Sequence, residues 1–167
     1  MSFMYGCQYY PEHWPESRWE TDLQIMSELR FNTIRIGEFA WSCMEPEEGR
    51  FEFGWLDRFL DLCKTYDFDV VMGVPIEAPP RWLNKKYPAN TLVNRKGEIW
   101  PFGYRNHYCI HHPGMRERSY ILTEQMAKRY AGKRPVSAWQ IGNELFKHFQ
   151  CFSDYCAQAF RTYLEEK

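Results

Sequence analysis

The sequence predicts an α/β protein built on a parallel sheet, one βα unit after another. Three observations point there. Apolar runs of strand length alternate with stretches of helical spacing in the order β-α-β-α-β-α-β-α, and such alternation argues parallel strands joined by helical crossovers. Residues 69–74 make a continuous apolar strand, the pattern of a strand covered on both faces. No low-complexity segment, linker or repeat interrupts the 167 residues, enough for one domain with its own core. A single domain over 1–167 is therefore expected. Two folds satisfy these observations: a doubly wound sheet, or part of an eight-fold βα barrel. A barrel typically needs ~250 residues, and four units make half of one.

Residues 4–10 are apolar and aromatic, and Pro11 ends this first strand. Pro15 suits the first position of a helix, where a missing N–H costs nothing. Trp19, Leu23, Met26 and Arg30 follow at helical spacing, and Ile25 and Leu29 widen the predicted buried face. Residues 32–36 form strand two, followed by a loop over 37–41 and a turn over 45–49. Trp55, Phe59, Leu62 and Tyr66 mark a second amphipathic helix. Strand three is followed by a loop with Pro75, Pro79 and Pro80, then a short helix through Trp82 and Leu83. Residues 88–112 have no period, and a loop this long inside a compact domain is usually functional. Pro113 opens a helix to about Tyr130, with Gly132 past its end. Residues 136–141 read as a short buried strand, and Cys156, Phe160, Tyr163 and Leu164 share one face of a last helix.

Composition excludes several classes. The chain has 21 basic and 22 acidic side chains, a net charge of -1, so no electrostatic case for nucleic acid or an anionic membrane follows. No run approaches the roughly 20 apolar residues that span a bilayer. The first residues show no basic n-region and no apolar h-region, so a cytoplasmic location is expected. Six cysteines without an export signal are then thiols or metal ligands rather than disulfides. Aromatics make up 18% of the chain, more than a core alone asks for, and they suit a pocket that stacks flat apolar faces. A doubly wound nucleotide-binding domain fails at its first turn, because residues 11–14 (PEHW) offer no glycine-rich phosphate cradle.

Position alone singles out Asn143 and Glu144. They lie just past the carboxyl end of strand four, where parallel α/β folds bind ligands. The competing reading is a strand-end Glu that is solvated or paired with an Arg.

Seven segments together resemble the N-terminal half of a glycoside hydrolase family 42 β-galactosidase. They are residues 8–14 (QYYPEHW), 35–41 (RIGEFAW), 45–51 (EPEEGRF), 55–57 (WLD), 78–83 (APPRWL), 102–107 (FGYRNH) and 139–144 (WQIGNE). Asn-Glu after a strand recurs across a clan of barrel glycosidases; the ordered set is specific. The resemblance implies the first half of a (β/α)8 TIM barrel, four parallel βα units, belonging to a retaining glycosidase acting on terminal β-D-galactosides. Such enzymes use two carboxyl groups roughly 5–5.5 Å apart, an acid/base and a nucleophile. The family's acid/base maps onto Glu144. Its nucleophile follows strand seven and has no counterpart in these four units, so a truncated chain, inactive alone, is expected. The alternative is a non-catalytic half-barrel that associates with itself or with a separate C-terminal half, since four parallel strands leave two open edges.

The same resemblance assigns Asn143 to the sugar 2-hydroxyl, Arg105 to galactose hydroxyls, and Glu38 to lining the pocket or orienting Arg105. Trp41, Trp82 and Trp139 are pocket walls or core. No cofactor is required for the chemistry. Some members carry a four-cysteine zinc site, and Cys109, Cys151 and Cys156 match three of its positions, with Ser153 in the place of the fourth. His148, or one of His107, His111 and His112, would have to complete the set; otherwise Ser153 is a helix N-cap beside free thiols. Cys7, Cys43 and Cys63 read as core or pocket-lining thiols. Ile76 and Glu77 depart from the small or hydroxyl residues the family places there, which puts leaving-group specificity in doubt.

Overall fold

The computed structural model describes residues 3–143 and 150–167. Four parallel strands pair in chain order: β1 (Gly6–Gln8), β2 (Thr33–Ile36), β3 (Asp69–Gly73) and β4 (Val136–Gln140). Six α-helices follow or interrupt the crossovers: α1 (Glu16–Glu28), α2 (Trp41–Met44), α3 (Gly54–Thr65), α4 (Arg81–Lys86), α5 (Pro113–Tyr130) and α6 (Asp154–Glu165). The consecutive order β1-β2-β3-β4 is that of an opened barrel wall. A doubly wound sheet would reverse direction at a switch point instead.

Ile34, Ile36, Val70 and Met72 alternate along β2 and β3 and are fully buried. They pack against Trp19 and Leu23 of α1, Leu56 and Phe59 of α3, and Leu122 and Met126 of α5. The residues between them face the other way. Arg35 sits in register with Gln8 and Val71, and its Nη1 donates to Gln140 Oε1 on β4 at 3.0 Å. That second face leads to the carboxyl rim.

Several expected faces shift. On α1, Ile25 and Leu29 are exposed; the helix leans on α3 along its Trp19–Leu23 stripe, and among the described residues no strand pairs with the outer side of β1. Pro15 is the N-cap of α1 rather than its first residue. On α3 the buried stripe is Leu56, Phe59, Leu60 and Cys63, so Trp55, Leu62 and Tyr66 only flank the core. Strand β4 is not buried as expected: no residue in it is fully covered, and Ile141 just beyond is 78% exposed. Among the described residues it pairs on one side only. The predicted face of α6 exists, but among the described residues nothing covers it. Phe160, Tyr163 and Leu164 are 60%, 55% and 56% exposed. Cys63 is core as expected, its thiol pushed up to about 12 by burial, whereas Cys43 is exposed.

Candidate functional site

Parallel strands end on one rim, and the residues just past those ends converge there. After β2, Gly37 takes a left-handed φ of 87° that turns the chain sharply. Glu38 follows it and is packed against β3. A Cβ on Gly73 would stand 3.0 Å from both the Glu38 nitrogen and the Ile36 oxygen, so only glycine lets the strand and this turn approach so closely.

Glu38 is buried and collects three partners. Arg35 Nη2 lies 3.2 Å from its Oε2 and Arg105 Nη1 lies 3.6 Å from its Oε1. The Tyr10 hydroxyl donates to Oε2 at 3.3 Å. A buried carboxylate needs such pairing to remain charged. Arg105 reaches in from the long loop and stays half exposed, its guanidinium 5.6 Å from the centre of the Phe39 ring. It therefore neutralises Glu38 while staying half exposed at the rim.

The loop after β3 supplies the link to strand four. Glu77 is buried. Its Oε1 accepts the Asn143 backbone N–H at 2.9 Å, and its carbonyl accepts the Asn106 N–H at 3.0 Å. One residue thus ties the start of the Asn-Glu segment to the neighbour of Arg105. The sequence marked Glu77 only as a departure near the leaving-group side; it is the bracket between two loops. Asn143 is half buried at this junction. Glu144 lies outside the described residues, as does His148.

Beside Arg105 opens a cleft of about 440 Å³ whose lining includes His13, Phe39, Ser42, Arg81, Phe102, Tyr104 and His107. His107 Nδ1 is 2.5 Å from the Tyr104 carbonyl. A carbonyl only accepts, so Nδ1 carries the proton and Nε2 holds the lone pair. Burial pushes the His107 pKa down and keeps the ring neutral. Among the described residues its Nε2 has no partner. Trp41 and Trp82 are not walls of this cleft. Trp41 is core and donates to Glu45 Oε2 at 2.9 Å, and Trp82 donates to the Glu45 carbonyl at 2.8 Å. Trp139 packs on the core.

The thiols of Cys109, Cys151 and Cys156 come together, with their sulfurs all within 4.8 Å of one another. Ser153 Oγ accepts the Cys156 N–H at 3.3 Å and caps α6; it also sits 3.1 Å from Cys109 Sγ. The Cys109 thiol acts as a donor toward Cys151, which holds Cys151 low and pushes Cys109 up. His107, His111 and His112 do not join the cluster. His112 Nδ1 instead caps α5 by accepting the Met115 N–H at 3.4 Å.

The family model for glycoside hydrolase family 42, described as beta-galactosidase, matches residues 8–167. The chain belongs to this family. A beta-galactosidase of Thermus thermophilus is 42% identical over 166 residues, 98% of this chain and 26% of the relative. The crystal structure of a beta-galactosidase from psychrophilic Marinomonas ef1 superposes with a TM-score of 0.93 at 36% identity, over 98% of this chain and 25% of that one. A polyextremophilic beta-galactosidase from the Antarctic haloarchaeon Halorubrum lacusprofundi gives 0.92 at 36% identity, with the same coverage. The chain spans about a quarter of the length of these relatives. Its four βα units are the first half of a family 42 TIM barrel. Among the described residues no helix is long and apolar enough to cross a membrane.

Proposed function

We propose that this chain is the acid/base-bearing half of a retaining β-galactosidase. The observation that carries the reading is the joint held by Glu77, which brings the Asn143 backbone and the Arg105 loop together on one rim. Glu144, next after Asn143, protonates the glycosidic oxygen as the bond to the leaving group breaks, then removes a proton from the incoming water. Both steps use one carboxyl, provided burial and a second carboxylate hold its pKa above the solution value. Asn143 binds the sugar 2-hydroxyl, a contact that strengthens in the transition state. Arg105, steadied by Glu38, offers its fork of donors to the galactose hydroxyls.

The nucleophile belongs to a strand beyond these four, so the chain alone hydrolyses a chromogenic β-galactoside no faster than background. The chemistry runs on carboxyl groups and needs no cofactor. A structural zinc would take Cys109, Cys151 and Cys156 as ligands. Among the described residues that set is one short of the four that close such a site, Ser153 being engaged as a cap, and His148 lies outside them.

The deciding experiment replaces the matching quarter of a full-length family 42 enzyme with this chain. The chimera is expected to hydrolyse β-galactosides and to lose roughly 10²–10⁴-fold in rate on Glu144→Gln. The loss should shrink with a leaving group that needs no protonation. A folded chimera whose activity ignores Glu144→Gln overturns the assignment. Turnover by the 167 residues alone refutes the missing nucleophile.

A further inference from the structure

We propose that Cys109 and Cys156 are a redox pair that closes into a reversible disulfide, clasping the long loop to the first turn of α6. Their sulfurs lie 3.5 Å apart although the residues are 47 positions apart in the chain. A disulfide needs about 2.05 Å between sulfurs, a distance side-chain rotation covers. The family reading makes this cluster a metal site, but the described ligands do not fit a closed one. Ser153 stands where a fourth thiolate is expected, and its hydroxyl oxygen is held by the Cys156 N–H. Three sulfurs with no fourth ligand among the described residues make a poor tetrahedral cage and a good setting for thiol chemistry.

The order of attack follows from exposure. Cys156 is only partly buried, while Cys109 is fully buried. Of the two, Cys156 meets a hydroperoxide first: its sulfur attacks the peroxide oxygen while its thiol proton passes to the departing alkoxide, giving a sulfenic acid and releasing the alcohol. Cys109 sulfur then attacks the sulfenic sulfur, the S–S bond forms, and hydroxide leaves with the thiol proton as water. Two thiols and one hydroperoxide become one disulfide, one alcohol and one water. Ser153, 3.1 Å from Cys109 Sγ, orients the attacking sulfur. The bond joins α6 to the loop that carries Arg105, four residues before Cys109.

The test uses the full 167-residue chain, stripped of metal with a chelator, fully reduced, then treated with a stoichiometric alkyl hydroperoxide. We expect a mass loss of two hydrogens, a peptide joining Cys109 to Cys156, and full reversal by dithiothreitol. Closing this loop should raise the unfolding midpoint by roughly 5 °C. Cys156→Ser abolishes both the linked peptide and the rise; Cys151→Ser preserves both. A linkage that maps to Cys151, or oxidation of Cys156 onward to sulfinic acid without linkage, overturns the proposal. So does zinc, added beforehand, that survives the chelator and blocks the reaction completely, because that would reveal a closed metal site.

Discussion

Glu12 carries a carboxylate whose two oxygens are both buried, and among the described residues neither accepts a hydrogen bond of normal geometry. Burial pushes its pKa up, countered in part by His13. A raised acid binds its proton more tightly folded than unfolded, so this group costs stability once pH passes the unfolded value of 4.5. The penalty is full above the folded pKa and absent in acid. Glu12→Gln should therefore raise the thermal midpoint at pH 7 and leave it unchanged near pH 3. Equal midpoints at both pH values would contradict the account. Residue-scale features of this kind were hidden in the sequence, because a glutamate in a Pro-rich turn reads as solvated. Glu77 was hidden for the same reason: its partner Asn143 is 66 positions away, and no local pattern reports such a contact. The placement of Glu38, Arg105 and Asn143 about the carboxyl rim was legible, since strand ends and a long aperiodic loop mark where parallel folds gather side chains.

Elements were legible wherever a period or a breaker defined them. Pro113 and Gly132 bracket α5 as expected, and β3 ends within a residue of its reading. What failed was the rotation of faces. Trp55 and Leu62 on α3 look like core by hydropathy, yet the stripe that meets the sheet is Leu56, Phe59, Leu60 and Cys63. Hydropathy gives the period, and packing partners choose the phase. The tie between helices escaped notice altogether. Glu45 opens a turn by composition, but it is fully buried and pairs with Arg118 of α5. It also accepts the Trp41 indole N–H of α2 and the Gly49 N–H. Arg118 stacks near the Trp82 ring of α4, so one ion pair joins three helices. Glu45→Ala leaves a buried guanidinium with only Glu48, 3.9 Å away, for an anion and should cost about 3 kcal/mol in urea unfolding. Replacing both partners with Met should recover a large part of that loss, because the uncompensated charge goes too. A double variant no more stable than Glu45→Ala would show that the helices are held by something else.

At the scale of the whole molecule, half a barrel leaves two problems for water. Among the described residues, strands β1 and β4 each pair on one side only, and unpaired backbone groups template further strands. The α6 face presents Phe160, Tyr163 and Leu164 to solvent, where burying each side chain is worth about 1.5–3 kcal/mol. The β4 edge is the side on which a fifth strand would continue the ring. Either the remainder of a barrel or a second copy of this chain would bury these surfaces. The isolated chain is expected to associate with itself, its mass by light scattering rising with concentration. Phe160→Asp combined with Leu164→Asp should shift it toward monomer while leaving the far-ultraviolet helix signal nearly unchanged, since neither residue is buried within the chain. If the unaltered chain stays monomeric at every concentration, these surfaces are not sticky enough to drive pairing. If the double variant associates as before, the open strand edges, rather than α6, carry the contact.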